Sequence, residues 1–196
     1  MVPAIVLAAG ASTRMGTPKA LLRIGDETFI SRILRVLREA GLPAAAVVAR
    51  PGQEGLVTEV AAAGFGQIVE NPRADEGQLS SLIAGLDAVD RPGVDAALVT
   101  LVDVPGISTA VVLTLLERMR TSPALVLRAV HEGRHGHPVI FRRALFDRLR
   151  QADPAIGAKA VVRTADVDDV EVQNAAITQD VDTPADYDRL RGMLIR

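Results

Sequence analysis

Residues 4–19 read Ala4-Ile5-Val6-Leu7-Ala8-Ala9-Gly10-Ala11-Ser12-Thr13-Arg14-Met15-Gly16-Thr17-Pro18-Lys19. The apolar run Ala4–Ala8 is too short for a helix and reads as a buried strand. The small residues that follow let the backbone approach a ligand closely, and their N–H groups can converge on an anion. Arg14 and Lys19 add two cations able to neutralise phosphate oxygens. That chemistry suits a nucleoside triphosphate held beyond the carboxyl end of a strand, where ligands collect in open α/β sheets. A plain strand-to-helix connection fits less well, because such connections are usually shorter, about 2–6 residues.

Two familiar loops are excluded. A P-loop needs four residues between its glycines and then Lys-Ser/Thr, whereas five separate Gly10 from Gly16 and Thr17 comes next. The dinucleotide fingerprint Gly-x-Gly-x-x-Gly fails because Ser12 takes the second glycine position.

Working outward, short apolar runs alternate with segments of helical period. Ala45–Ala49, Gln67–Val69, Ala96–Val102 and Ala124–Val130 read as further strands. Phe29–Ala40 places Ile30, Ile33, Leu34 and Leu37 on one stripe, and Gln53–Ala63, Leu79–Val89 and Thr109–Met119 repeat the pattern. This is an α/β chain with a mostly parallel sheet. From Glu132 to Pro138 a Gly- and His-rich stretch reads as a loop, followed by an apolar run Val139–Phe141 and a helical Arg143–Arg150. Ala158–Arg163, Val170–Val172 and Pro184–Leu194 read as helix, strand and closing helix, a small add-on to the core. No repeat, low-complexity segment or linker divides residues 1–196, so one domain is expected.

Composition narrows the function. The 196 residues are 48% hydrophobic and 23% charged, with a formal net charge of -2. Aromatics are only 3%, so base-stacking platforms are missing and nucleic-acid binding is not expected. The absence of cysteine removes disulfides, thiolate metal sites and cysteine nucleophiles, so any metal must sit on oxygen or imidazole. Apolar runs such as Val2–Ala11 fall short of the roughly 18 residues of a membrane span. No basic residue precedes the first apolar run, so a secretory signal is not read and a cytoplasmic protein is expected.

Asp103 follows the strand Ala96–Val102, which delivers its carboxylate to the same sheet edge as the first loop. It can serve as a magnesium ligand, since that ion needs one or two carboxylates beside water and phosphate, or it can shape the turn before Pro105. Thr183-Pro184-Ala185-Asp186 is a good helix start, which leaves Asp180 and Asp182 unexplained. His131-Glu132-Gly133-Arg134-His135 matches the zinc-peptidase string His-Glu-x-x-His, whose mechanism requires a helix. A strand runs into it and Gly133, Gly136 and Pro138 break it, so no zinc chemistry is expected and His131 and His135 receive no role.

The string Leu-Ala-Ala-Gly-x-Ser-x-Arg-Met-Gly-x-x-Lys at residues 7–19 resembles the signature of nucleotidyltransferases that attach a nucleoside monophosphate to the molybdenum cofactor, the cytidylyl branch above all. The resemblance continues in order through Asn71-Pro72, Gly77-Gln78-Leu79-Ser80-Ser81-Leu82, Asp103-Val104-Pro105, Gly136-His137-Pro138-Val139-Ile140-Phe141 and Asp180-Val181-Asp182-Thr183-Pro184. It implies a Rossmann-like three-layer nucleotidyltransferase fold of the GT-A type. It also implies CMP transfer from CTP to the terminal phosphate of a molybdopterin-type acceptor, with release of pyrophosphate. By the same resemblance Arg14, Lys19 and Asp103 are catalytic, and Leu7, Ala8, Ala9, Gly10, Ser12, Arg14, Lys19, Gly77, Ser80 and Ser81 bind the nucleotide. Ser80 and Ser81 can also cap the helix they open. His137 and Pro138 would line the acceptor side, and Asp103 and Asp182 would hold Mg2+, or Mn2+ in its place. Partners are then small molecules, with transient contact to a molybdoenzyme or its maturation factor, and the chain is expected to be a monomer.

Ala8-Ala9 stands where the guanylyl branch has Gly-Gly, which favours CTP over GTP. A methyl group is worth only about 1–3 kcal/mol in such discrimination. Val104 departs from the family's Asp-Gln-Pro or Asp-Met-Pro, losing a side chain long enough to reach a ligand and leaving the acceptor open. Few rings are available to pack a pterin, Phe141 among them. Rival readings are transfer from GTP or to another phosphate monoester, an oxidoreductase resembling nicotine blue oxidoreductase, and a maturation factor without turnover.

Overall fold

The computed structural model describes residues 1–10 and 17–195. β1 (Ala4–Leu7) is followed by a small hairpin of β2 (Arg23–Ile24) and β3 (Glu27–Thr28), then α1 (Phe29–Glu39), β4 (Ala45–Ala49), α2 (Glu54–Ala63) and β5 (Gln67–Glu70). Next come α3 (Gln78–Val89), β6 (Ala96–Leu101), α4 (Thr109–Thr121), β7 (Val126–His131) and β8 (Arg134–Arg142). The chain ends in α5 (Phe146–Arg150), α6 (Lys159–Val162), β9 (Val167–Glu171) and α7 (Pro184–Leu194). No helix among the described residues is long and apolar enough to cross a membrane.

Seven strands form one sheet in the order β5-β4-β1-β6-β8-β7-β9. All neighbours pair in parallel except β8, which runs against both β6 and β7. From β1 the chain steps outward through β4 to β5, then crosses back to lay β6 on the other side of β1. Strand order therefore reverses between β1 and β6, and a crevice opens beyond their carboxyl ends.

The central strands β1 and β4 are apolar throughout because both faces are covered. Ala4, Val6 and Ala8 join a core with α1, α2, α4 and α7, while Ile5 and Leu7 join a second core with α3, α5 and α6. Small side chains bring the layers close: a Cβ at Gly85 of α3 would lie 2.4 Å from Ile5 Cγ2. Thr28 caps α1 and Ser108 caps α4 through their hydroxyls. α7 starts in the capping box expected from Thr183 and Asp186, and its Tyr187 hydroxyl donates to the Arg23 carbonyl at 2.5 Å.

Residues 134–138, expected to be loop, are instead the first half of β8. Glu132 and Gly133, with φ of 49° and 73°, make the two-residue turn that joins β7 to β8. Gly136 and Pro138 hid this strand, since both are poor strand formers. His131 and His135 accordingly lie on the two arms of a hairpin. His131 Nδ1 contacts the Val172 carbonyl at 2.8 Å, and His135 Nε2 lies by Arg128 and Asp169. The residues read as an add-on complete the same sheet through β9, and Leu190 of α7 is in the first core.

Candidate active site

Leu7 and Leu101, the last residues of β1 and β6, are paired, so the segments after them emerge side by side. Ala8 donates to the Val48 carbonyl at 2.8 Å and Val102 to the Leu7 carbonyl at 3.0 Å, which fixes both exits. A cleft of about 350 Å³ opens there. Its lining includes Leu7, Ala8, Ala9 and Gly10 from the β1 exit, Gly77, Gln78 and Ser81 from the start of α3, and Lys19, Asp103 and Asp182. Four segments far apart in sequence thus meet where the strand order reverses. Arg14 and Ser12 lie outside the described residues.

Gly77 enters α3 with φ 102° and ψ -179°, a conformation essentially confined to glycine. The two serines behind it divide. Ser80 lies 2.8 Å from both the Arg73 and Gly77 carbonyls, accepts from Asn71 Nδ2 at 2.9 Å, and does not line the cleft. Ser81 also accepts from Asn71 Nδ2, at 3.0 Å, and does line it. Buried Asn71 thereby ties the end of β5 to the helix start.

Lys19 opens a short 3-10 turn, Lys19–Leu21, pinned by Ala20 in the core. Its Nζ bonds Asp182 Oδ1 at 2.5 Å and Asp103 Oδ2 at 3.2 Å. Burial opposes the charge on Lys19, but Asp182 and Asp103 outweigh it and hold the ammonium above its ordinary range. The other oxygen of Asp103, Oδ1, is buried with no hydrogen-bond partner among the described residues. Among the described residues no group of three His, Asp or Glu side chains is arranged to hold a metal. The donor set among the described residues is therefore the two carboxylates of Asp103 and Asp182.

Asp182 reaches this place because the segment after β9 is docked through two glycines. A Cβ at Gly136 would sit 2.4 Å from the Ile177 carbonyl oxygen, and one at Gly106 would sit 2.4 Å from Ala176 Cβ. Asn174 Nδ2 donates to the Gly106 carbonyl at 3.0 Å, and Val181 N–H to the Asp103 carbonyl at 2.9 Å. The need for glycine at 136 thus comes from backbone packing.

His137 and Pro138 do not line the cleft. They sit on β8 just beyond the Val99–Val139 pair, beside the end of β6. His137 Nδ1 is buried without a hydrogen-bond partner among the described residues. Burial pushes the imidazole pKa down, against opposing pulls from the Val99 backbone, Asp103 and Asp180. Val104, expected to bear on ligand contact, is buried at 3% exposure in the first core, so this position does not face the cleft.

Arg50 was not anticipated. It follows β4 and lines the cleft, with Nε donating to the Ala9 carbonyl and Nη1 to Asp75 Oδ1, both at 2.8 Å. The available signal was a basic residue directly after a buried strand, at the edge that carries the first loop.

Residues 4–170 match the family described as MobA-like NTP transferase domain. The chain belongs to this family. MobA-like relatives include a probable molybdenum cofactor guanylyltransferase of Opitutus terrae, 38% identical over 54% of this chain and 49% of its own length, so that match spans about half of the relative. The molybdenum cofactor cytidylyltransferase of Escherichia coli is 26% identical, covering 93% of this chain and 92% of its own. The crystal structure of Rv0371c from Mycobacterium tuberculosis H37Rv has a TM-score of 0.84 at 27% identity, covering 98% of both chains. A manganese complex of the same mycobacterial protein gives 0.79 at 26% identity, covering 98% of this chain and 99% of that one. The chain is thus a nucleotidyltransferase of the MobA-like family, with the fold expected from its sequence.

Proposed function

We propose that this protein transfers CMP from CTP to the terminal phosphate of a molybdopterin-type acceptor, releasing pyrophosphate. The observation that carries this reading is the convergence of Lys19, Asp103 and Asp182 at the β1–β6 crevice. The names of the Escherichia coli and Opitutus terrae relatives support the acceptor class. The triphosphate would lie along Ala8–Gly10, with Lys19 and Arg14 on its phosphates and the nucleoside against Gly77 and Ser81.

Asp103 and Asp182 fit a divalent cation, Mg2+ or Mn2+, because hard cations of this kind take one or two carboxylates and complete their shell with water and phosphate. When bound, such a cation neutralises charge on the triphosphate and on the departing pyrophosphate. Lys19 contributes a further positive charge to the same oxygens. The attacking phosphate monoester has a second pKa near about 6 and is mostly ionised at neutral pH, so no general base is required. His137, whose imidazole pKa burial pushes down, lies on β8 behind the cleft lining and would act on the acceptor side only by bearing on Asp103 and the end of β6.

CTP is preferred because Ala8 and Ala9, on the cleft lining, carry methyl groups expected to crowd the larger purine. GTP is the second reading, favoured by the name of the Opitutus terrae relative. The test supplies protein, Mg2+ and a molybdopterin acceptor with each nucleotide and follows pyrophosphate. Faster release with GTP overturns the cytidylyl assignment, and no release with either nucleotide overturns the enzyme reading.

A further inference from the structure

Lys19 occupies the position a divalent cation would take. Its ammonium bonds Asp182 Oδ1 at 2.5 Å and Asp103 Oδ2 at 3.2 Å, so both acids already face one positive charge. The acids are held by backbone: Val181 N–H binds the Asp103 carbonyl at 2.9 Å, and Asp182 follows directly. The lysine is anchored at its base by buried Ala20 and carries its charge on a flexible four-carbon stem. Asp103 Oδ1 has no partner among the described residues. A cation drawn to that oxygen meets the ammonium on the neighbouring ones, and two positive charges a few ångströms apart in a partly buried site repel strongly.

We propose that Lys19 is a placeholder cation. In one arrangement it neutralises Asp103 and Asp182; in the other a divalent cation takes the carboxylates and Lys19 swings to the triphosphate. The inference rests on Asp103 and Asp182 being cation ligands, as read above. Cation and nucleotide then bind synergistically, since each favours the same movement of Lys19, and the coupling is reciprocal. Loss of the lysine charge has opposite effects on the two ligands: the cation binds more tightly and the triphosphate more weakly.

Calorimetry with Mn2+ alone tests this on wild type and Lys19→Met. Mn2+ is expected to bind the variant about tenfold more tightly, a modest part of the Coulomb effect of a nearby unit charge. CTP without metal is expected to bind it more weakly. A second measurement avoids substitution: the chain has two lysines, Lys19 and Lys159, so 15N-lysine labelling gives two Nζ signals. Mg2+ added to the wild-type protein should shift the Lys19 signal and leave Lys159 as reference. Equal or weaker Mn2+ binding by Lys19→Met, or an unmoved Lys19 signal at saturating Mg2+, overturns the placeholder. Asp103→Asn separates the two ideas: if it binds Mn2+ as the wild type does, the cation reading itself fails.

Discussion

The backbone N–H of Val181 bonds the carbonyl of Asp103 at 2.9 Å, and through this contact the second acid of the site is set beside the first. Asp103 arrives on the end of a central strand, whereas Asp182 arrives on a segment docked against β8 and the turn after β6. Lys19 Nζ then bridges the two side chains.

Lys19→Ala and Asp103→Asn should fold and lose nearly all turnover. Removal of one preorganised charge contact costs about 3–4 kcal/mol at the transition state, or roughly 100- to 1000-fold in rate. Pyrophosphate release beside a thermal melt checks both halves. Wild-type rates in both variants at saturating nucleotide and metal would sink the assignment.

Gly136→Ala should lower activity by way of packing. Its new Cβ would meet the Ile177 carbonyl at 2.4 Å, forcing the 175–178 turn outward and Asp182 with it. Gly192→Ala is the contrast: it sits in α7 with nothing within 4 Å of the added Cβ, and should stabilise by about 0.5–1 kcal/mol. Denaturant midpoints and rates on both proteins decide whether steric contact separates them.

Arg50→Ala should raise KM for the nucleotide with a smaller effect on kcat, because the guanidinium lines the cleft and holds the Ala9 carbonyl. Asp75→Asn should change KM little, since Asp75 is 87% exposed and such ion pairs contribute about 0–1 kcal/mol. A large kcat loss in Arg50→Ala with unchanged KM would contradict this.

Glu27 links pH to the turn that carries Asp103. Arg35 is the main cause of its depressed pKa, joined by Arg32 and opposed by burial. Arg32 also donates to the Pro105 carbonyl at 3.2 Å. A carboxylate whose folded pKa lies below its ordinary 4.5 stabilises the fold fully above that value, and the contribution is lost as pH falls through the folded pKa. Glu27→Gln should therefore flatten this part of the acid limb of a stability–pH curve. An unchanged limb would show that the ion pair is thermodynamically silent.

The central parallel strands β1, β4 and β6 were legible because burial on both faces leaves apolar runs, and Ala45–Ala49 appears with its expected bounds. By contrast β9, read as Val170–Val172, runs Val167–Glu171 because Asp168 and Asp169 interrupt its apolar pattern. Lys19 and Asp103 were legible for a related reason: each stands just past a strand or its loop, where polarity returns abruptly. Strand β8 was hidden because its first half obeys tertiary packing, with Gly136 chosen by Ile177, a residue remote in sequence. Arg50 carried only the signal of position. Ser80 and Ser81 looked equivalent, and only the hydrogen bonds of Asn71, Arg73 and Gly77 turn one of them away from the cleft.

The bond between Lys19 and Asp182 spans 163 residues of sequence. A chain still being synthesised therefore carries the whole β1 loop and Asp103 long before the acid that completes the cleft exists. On the proposed reading, competence to handle a triphosphate is a late event in the life of the polypeptide, reached only once the segment through Asp182 has docked onto its two glycines.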